Sequence, residues 1–130
     1  MVVINNPIYD MLTRIRNGQL AKKKFILQPK NRFCLRLLNI IYKEGYIKHY
    51  SFENEKTLKI WLKYYNNQPV IKKISFFSTN HKKPTYISLK NLWKLDSSLR
   101  LIIASTTKGF LSGKNIRKKK VGGKLICIIE

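Results

Sequence analysis

The chain has 130 residues, of which 27 are Lys or Arg and 6 are Asp or Glu, so its formal net charge at pH 7 is +21. Hydrophobic residues make up 44% and aromatic residues 12% of the chain, which excludes a disordered basic tail and predicts a folded protein. Because this excess of positive charge repels itself in a compact chain, we expect a polyanionic partner, with nucleic acid as the first candidate.

The cysteine, histidine and apolar patterns exclude several classes of protein. Cys34 and Cys127 stand in apolar runs without motif spacing, which favours buried thiols in a reducing compartment over a disulfide framework. His49 and His81 are isolated, so we expect no metal site and no other cofactor. No apolar run approaches the roughly 18 residues of a membrane span. The first residues carry no targeting pattern, so we expect no cleaved leader and no membrane partner.

The first half of the chain predicts the order α-β-α-β-β. A cap at Asn6 and a first-turn proline at Pro7 begin a helix whose apolar stripe leads to Gly18, the predicted stop. A short strand is predicted at residues 25–27 and a second amphipathic helix at residues 31–44. Residues 46–52 and 57–65 then predict a hairpin. Its second arm alternates apolar residues with Lys59, Trp61 and Lys63, which gives one apolar and one largely basic face.

The second half of the chain predicts a mainly β lobe. Turn formers and a proline at residues 66–69 indicate a linker, so we expect an N-terminal lobe at 1–66 and a C-terminal lobe at 67–130. Short strand-like runs follow, and a short helix fits residues 91–95. The strand-like runs are residues 74–77, 86–89, 99–104 and 125–129. The predicted fold class is therefore α+β with two small lobes.

One segment of the second half has the composition of a binding turn. Three hydroxyls, an ammonium and a glycine follow one another at Ser105, Thr106, Thr107, Lys108 and Gly109. Hydroxyl and backbone N–H groups in a tight turn can contact phosphates, riboses or base edges, and an ordinary polar turn is the alternative. The basic run at residues 117–120 leads through Gly122 and Gly123 into the last strand. The basic run lies beside the hydroxyl turn if the strand before the turn and the last strand are neighbours in the sheet.

The sequence provides little for catalysis. None of the six acids forms a close pair of the kind used in acid–base or metal chemistry. A triad of Ser105, His81 and Asp96 has no supporting context such as a nucleophile elbow. Residues 109–115 resemble a P-loop but are one residue short between the glycines and end in Asn115. We therefore expect neither an enzyme nor a protein with a small-molecule substrate.

Four separated segments resemble the small-subunit ribosomal protein S8 family of bacterial type, in order and across essentially the whole chain. Residues 6–18 resemble its N-terminal signature D-P-I-x-D-M-L-T-R-I-R-N, and residues 43–47 its helix end E-E-G-F-I. Residues 105–109 resemble its S-T-S-K-G loop, and residues 122–127 its closing G-G-E-I-I-C. The resemblance implies the same two lobes and a primary rRNA-binding protein. Such a protein docks on an irregular helix in the central domain of small-subunit rRNA and supports its assembly beside neighbouring ribosomal proteins.

The resemblance also implies which residues contact RNA. In the C-terminal lobe they are Ser105, Thr106, Thr107, Lys108, Gly109, Tyr86, Gly122, Gly123 and Lys124. In the N-terminal lobe Thr13, Arg14, Asn17, Lys30 and Arg32 are implied to touch phosphates. Lys124 replaces the family's glutamate, so a phosphate contact is expected in place of a carboxylate role. Thr107 replaces a serine, and Ile87 and Ser88 replace a basic pair.

Two further interpretations follow from composition. Only 6 of the 27 basic residues are Arg, and Asn and Ile are abundant, which suggests an AT-rich coding sequence. This favours the mitochondrial matrix, within the ribosome, with a plastid or a bacterial cytoplasm as alternatives. The functional alternatives are a nonspecific polyanion-binding module, whose lysines act as a charge cloud, and an RNA-processing enzyme.

Overall fold

A computed structural model of the chain describes residues 7–76, 86–87 and 100–130. The chain divides into two compact units, one ending at Lys72 and the next beginning at Lys73. The predicted α+β class and the two lobes are confirmed. The predicted lobe boundary, between residues 66 and 67, falls within the first of these units.

The elements of the two units are as follows. The first unit contains α1 (Pro7–Leu20), β1 (Phe25–Pro29), α2 (Arg32–Lys43), β2 (Ile47–Asn54), β3 (Thr57–Leu62), β4 (Tyr64–Tyr65) and β5 (Gln68–Pro69). The second unit contains β6 (Ile74–Phe76), β7 (Tyr86–Ile87), β8 (Leu101–Thr106), β9 (Gly109–Ser112), α3 (Gly113–Lys119) and β10 (Gly123–Ile129). The first unit thus follows the predicted α-β-α-β-β order, with a small hairpin added.

The core of the first unit lies between one face of a sheet and two helices. The sheet is antiparallel, in the order β1-β3-β2. In β3 the buried Leu58, Ile60 and Leu62 alternate with more exposed residues, as the sequence pattern predicts. Helices α1 and α2 supply the other half of this core. Their fully buried side chains are Met11, Leu12, Ile15, Cys34, Leu37, Leu38 and Ile41.

Gly18 was predicted to end the first helix, and that prediction is wrong. The helix continues to Leu20 and ends with Lys22 in the left-handed conformation (φ 55°). The Lys23 N–H donates to the Gly18 carbonyl (2.9 Å), which is the closing bond of a Schellman motif. Gly18 is instead buried against the sheet. A Cβ at this position would lie 2.7 Å from the Ile26 side chain. The glycine therefore allows α1 to pack closely on the sheet.

Residues 66–69, predicted as a linker, form a hairpin tip. Asn66 and Asn67 both have positive φ angles (51° and 63°) and join β4 to β5, an arrangement typical of a two-residue type I′ turn. The buried Gln19 holds the base of this hairpin: its Nε2 donates to the Lys63 carbonyl (3.3 Å), and its Oε1 accepts from the Ile71 N–H (3.2 Å). The segment is thus an ordered part of the first unit.

Among the residues that the structure describes, the second unit consists of an antiparallel sheet and one short helix. The strand order is β6-β10-β8-β9, and β7 also pairs with β10. The strands predicted at 74–77, 99–104 and 125–129 correspond to β6, β8 and β10. Its core cluster consists of Ile102, Ala104, Leu111, Ile116, Leu125 and Ile128. Of the strand predicted at 86–89 the structure describes residues 86–87, and the helix fitted to residues 91–95 lies outside the described residues.

Strand β9 and helix α3 were not predicted from the sequence. Gly109–Ser112 pairs with β8 and so forms no phosphate-wrapping loop, although residues 109–115 resemble a P-loop. Helix α3 places the cations at 117–119 in its last turn, where the helix dipole favours positive charge. Within this helix Ile116 is fully buried and anchors it to the sheet.

Candidate nucleic-acid interface

The hydroxyl turn, residues 105–109, is a tight connection between β8 and β9. Ser105 and Thr106 end β8, while Thr107 and Lys108 form the two-residue turn and are exposed. Gly109 has a φ of +98°, a left-handed conformation that favours glycine. The two exposed residues therefore present a hydroxyl and an ammonium to the solvent from a fixed backbone.

Thr106 holds the shape of this turn. Its Oγ1 donates to the Gly109 carbonyl (2.8 Å) and accepts from the Lys108 N–H (3.1 Å). The hydroxyl proton of Thr106 is thus committed to the protein, and one lone pair of the oxygen remains for a ligand. The side chain of the neighbouring Thr107 is exposed on the turn. Thr106 can therefore only accept one further hydrogen bond, whereas the Thr107 hydroxyl can both donate and accept.

Strand pairing brings several predicted site residues into one row. Lys124 of β10 lies opposite Ser105 of β8 and, on its other side, opposite Tyr86 of β7. Ser105 in turn lies opposite Phe110 of β9. Residues directly opposite in an antiparallel sheet share a face, so Lys124 and Ser105 project together. The condition that β8 and β10 are neighbours is therefore met.

The close approach of β10 to β8 depends on Gly123. A Cβ at this position would lie 2.6 Å from the Ser105 carbonyl oxygen and 2.7 Å from Thr106 Cγ2. The missing side chain of Gly123 is thus explained by packing within the sheet. Gly122 precedes the strand and is exposed.

The chain segment that begins with the hydroxyl turn carries only positively charged side chains. Residues 105–124 contain seven Lys or Arg and no Asp or Glu. Lys118 and Lys119 are exposed on α3, and Lys120 ends this helix in the left-handed conformation (φ 54°). Because no carboxylate in this stretch offsets them, these cations make a strongly positive local potential.

In the first unit, the predicted contacts fall in two places. Arg14 and Asn17 lie on the exposed face of α1 and line a cleft of about 590 Å³ together with Lys23, Phe25 and Leu27. Thr13 is half-buried on the same helix.

Lys30 and Arg32 lie at the junction of β1 and α2, away from that cleft along the chain. Each holds a cationic group 5.1 Å from an aromatic ring, Lys30 over Phe52 and Arg32 over Phe33. Between them Asn31 caps α2, since its Oδ1 accepts from the Phe33 N–H (2.9 Å) and from the Cys34 N–H (3.4 Å). The structure thus brings Arg14 and Asn17 together, and Lys30 and Arg32 together.

Comparison with known proteins decides the family. Residues 6–129 match the sequence model of the family Ribosomal protein S8. The chain belongs to the ribosomal protein S8 family. It is 40% identical over 129 residues to the small ribosomal subunit protein uS8 of Wigglesworthia glossinidia brevipalpis, with 98% of each chain covered. It is 38% identical over 129 residues to the uS8 of Buchnera aphidicola subsp. Baizongia pistaciae, with 98% of each chain covered. The resemblance seen in the sequence is thus confirmed.

The thiols of this S8-family chain are buried and unpaired with one another, as predicted. Burial raises the pKa of the Cys34 thiol to about 11, with a further contribution from the negative charge of Asp10. Burial raises the pKa of Cys127 to about 12. Both thiols are therefore protonated near neutral pH and are poor nucleophiles.

The described ranges contain neither a cluster of metal ligands nor a candidate membrane-spanning helix. Within residues 7–76, 86–87 and 100–130, no group of three or more His, Cys, Asp or Glu side chains is arranged to hold a metal ion. None of the helices in these ranges is both long and apolar enough to cross a membrane. Two members of the unsupported triad, His81 and Asp96, lie outside the described residues.

One surface of this S8-family chain was not predicted as a functional site from the sequence. The face of the first sheet opposite the helices carries Phe25, Leu27, Lys59 and Trp61, and Phe25 and Leu27 are 37% and 46% exposed. The signal was present, because the alternation in β3 predicts a basic face, but no function was assigned to it.

Proposed function

We propose that this protein is a non-catalytic constituent of the small ribosomal subunit that binds rRNA directly and acts in translation. We propose further that it docks on an irregular helix in the central domain of small-subunit rRNA and supports the assembly of that region. Its family and the uS8 names of its relatives support the first statement. The pairing of Lys124 with Ser105, next to an acid-free basic stretch, is the observation that carries the second.

The hydroxyl turn is the proposed reader of RNA shape. A regular A-form helix has a deep, narrow major groove that side chains cannot enter, whereas an internal loop exposes base edges and 2′-hydroxyls. Thr107 and Ser105 provide hydroxyls that both donate and accept, which suits such mixed groups. Thr106 keeps the turn in place, and its free lone pair can accept one further bond.

Cations on the same unit supply affinity for the backbone of the RNA. Lys108 and Lys124 flank the hydroxyls, and residues 117–120 add four positive charges. Phosphate contacts of this kind fix position and orientation but carry no sequence information. Gly109, Gly122, Gly123 and Tyr86 complete the proposed contact set.

The first unit adds phosphate contacts of its own. Arg14 and Asn17 at the α1 cleft, with Thr13 beside them, form one proposed contact. Lys30 and Arg32 at the start of α2 form the other. Each pair is exposed or half-buried, as a group that reaches a phosphate must be.

The proposed partners are small-subunit rRNA and neighbouring small-subunit proteins, with no small-molecule substrate and no cofactor. The proposed location is the ribosome of the mitochondrial matrix, because 21 of the 27 basic residues are Lys. The relatives named above are bacterial, so a bacterial cytoplasm is the first alternative and a plastid the second. Cell fractionation with an antibody to the native protein separates these three locations.

The decisive experiment compares two RNAs of equal length and charge. One is a hairpin with an irregular internal loop, and the other is the same hairpin with the loop replaced by regular base pairs. We expect markedly tighter binding to the looped hairpin at moderate salt. A nonspecific polyanion binder would treat both RNAs alike and lose nearly all affinity as salt rises. Cleavage or modification of either RNA in magnesium would instead indicate a processing enzyme.

A further inference from the structure

The outer face of the first sheet, defined by Phe25, Leu27, Lys59 and Trp61, combines exposed apolar rings with cations. Cross-strand pairing places Phe25 opposite Trp61 and Leu27 opposite Lys59. The helices of this unit cover the opposite face, on which Ile60 is fully buried. The outer face thus presents Phe25 and Leu27 of the edge strand β1 to solvent, beside the half-buried Trp61 of the central strand β3.

The two rings of this face form a cluster around one ammonium group. The centroids of Phe25 and Trp61 are 5.2 Å apart, with an interplanar angle of 54°. Lys59 Nζ lies 4.1 Å from the Phe25 centroid and 4.6 Å from the Trp61 centroid. It also lies 3.9 Å from Glu53, a half-exposed carboxylate. The rings therefore already interact with a cation through their π faces.

Further cations surround the indole. Lys24, Lys48 and Lys63 line a cleft of about 420 Å³ together with Trp61. All three lysines are exposed, and Lys63 is oriented by a hydrogen bond from its Nζ to the Gly45 carbonyl (3.0 Å). An aromatic surface bordered by ammonium groups suits a nucleotide, because a nucleotide has a flat base and a charged phosphate.

We infer that the outer face of the first sheet binds unpaired nucleotides, with a base stacked on Phe25 and Trp61 and phosphates held by Lys24, Lys48 and Lys63. Charge complementarity selects this occupant, because four lysines and one glutamate border the rings. An apolar protein surface would strip water from these ammonium groups without compensating them. Single-stranded nucleic acid supplies both a π face and a phosphate at each step.

This site is independent of the hydroxyl turn, which belongs to the other unit. Lys59 acts as the exchangeable cation: an arriving base replaces it on the rings, and its ammonium turns to the phosphate of that nucleotide. Because every base has a π face, the site tolerates different sequences, whereas the hydroxyl turn reads the shape of one RNA.

The experiment uses Trp61 as its own reporter. The full chain has two tryptophans, and Trp93, which lies outside the described residues, is replaced by Trp93→Phe so that Trp61 is the remaining indole. Oligoadenylate of eight nucleotides is titrated at 300 mM KCl, which suppresses nonspecific electrostatic binding. We expect saturable quenching of the Trp61 fluorescence as a base stacks on the indole.

Two substitutions at Phe25 separate stacking from apolar contact. Phe25→Leu keeps an apolar side chain without a π face, and should weaken oligoadenylate binding by about 5- to 150-fold. Phe25→Tyr keeps the ring and should bind nearly as well as the parent. Tyr65→Ala, which removes a 74% exposed aromatic from the β4–β5 hairpin, is the matched control and should leave binding unchanged. Circular dichroism and thermal unfolding confirm that each variant folds.

The inference is overturned if oligoadenylate does not quench Trp61, or if Phe25→Leu and Phe25→Tyr bind equally well. It is also overturned if Trp61 responds to RNA-free small-subunit proteins and not to oligoadenylate, which would assign the face to a protein partner. Selectivity for the looped hairpin over the regular duplex, which the hydroxyl turn provides, should be unaffected by both Phe25 variants. Loss of hairpin selectivity with retained quenching would therefore refute the proposed function and leave this site standing.

Discussion

Gly123 and Ser105 approach each other so closely that a single added methyl group on the glycine would lie 2.6 Å from the serine carbonyl oxygen. This contact sets the distance between β10 and β8 at the point where Lys124 and Ser105 are paired. The geometry of the proposed RNA-binding row therefore depends on a residue that has no side chain.

Gly123→Ala should accordingly reduce both stability and RNA binding. We expect a loss of about 1–3 kcal/mol in the free energy of unfolding, because the backbone of β8 has to move to accept the methyl group. Urea unfolding monitored by circular dichroism measures this loss. Gly122→Ala is the matched control, since Gly122 is exposed, and should change stability by less than about 0.5 kcal/mol. Equal losses in the free energy of unfolding for the two substitutions would contradict the packing role of Gly123.

The hydroxyls of the turn should separate into ligand contacts and an internal support. Ser105→Ala combined with Thr107→Val should weaken binding of the looped hairpin by about 1–3 kcal/mol and leave the fold intact. Thr106→Val should instead lower the free energy of unfolding by about 1 kcal/mol, because it removes the bonds to Gly109 and Lys108. Calorimetric titration and thermal unfolding of each variant distinguish the two outcomes. The assignment fails if Thr107→Val destabilises the fold as much as Thr106→Val.

The lysines near the turn should contribute through phosphates. Lys118→Gln and Lys124→Gln should each weaken binding to the looped hairpin and to the regular duplex by similar factors. Each should also reduce the slope of log affinity against log salt by about 1. Binding measured over a series of KCl concentrations gives this slope. Lys72→Gln, an exposed lysine outside the proposed contact set, is the control and should leave the slope unchanged. An unchanged slope in the Lys124 variant would show that this lysine makes no phosphate contact.

The buried thiols should make stability fall at alkaline pH. The folded pKa values of Cys34 and Cys127, about 11 and about 12, lie above the value of roughly 8.5 for an exposed thiol. The unfolded chain therefore loses these protons first, and the free energy of unfolding should decrease as pH rises from about 9 towards 11. Urea unfolding at a series of pH values tests this. In the native protein both thiols should also react slowly with a thiol reagent at pH 8, and rapid reaction would contradict their burial.

The elements that the sequence predicts correctly are those encoded by local patterns. Helix α2 was expected at residues 31–44 and is found at Arg32–Lys43, because its apolar stripe and the Asn31 cap are both visible along the chain. Helix α3 was not predicted because its seven residues contain only one fully buried side chain, Ile116, and so show no apolar periodicity. Gly18 was misread because its role comes from its close approach to Ile26, which lies in β1 and outside the pattern of the first helix.

The candidate site was predictable in composition but not in geometry. The residues of the hydroxyl turn were recognised from their order in the chain, and the pairing of β8 with β10 was expected only on the condition that these strands are neighbours. The internal bonds of Thr106 and the role of Gly123 depend on atoms brought together by folding. The aromatic cluster of Phe25 and Trp61 likewise joins two strands that lie far apart in the sequence.

The amide of Gln19 bonds to both stems of the β4–β5 hairpin, at Lys63 and Ile71. Asn66 and Asn67, at the exposed tip beyond those bonds, contribute little to the stability of the fold. An affinity peptide inserted at this tip should be tolerated, as insertions at exposed loop ends usually are. Particles that carry the protein could then be purified without altering the hydroxyl turn or the aromatic cluster.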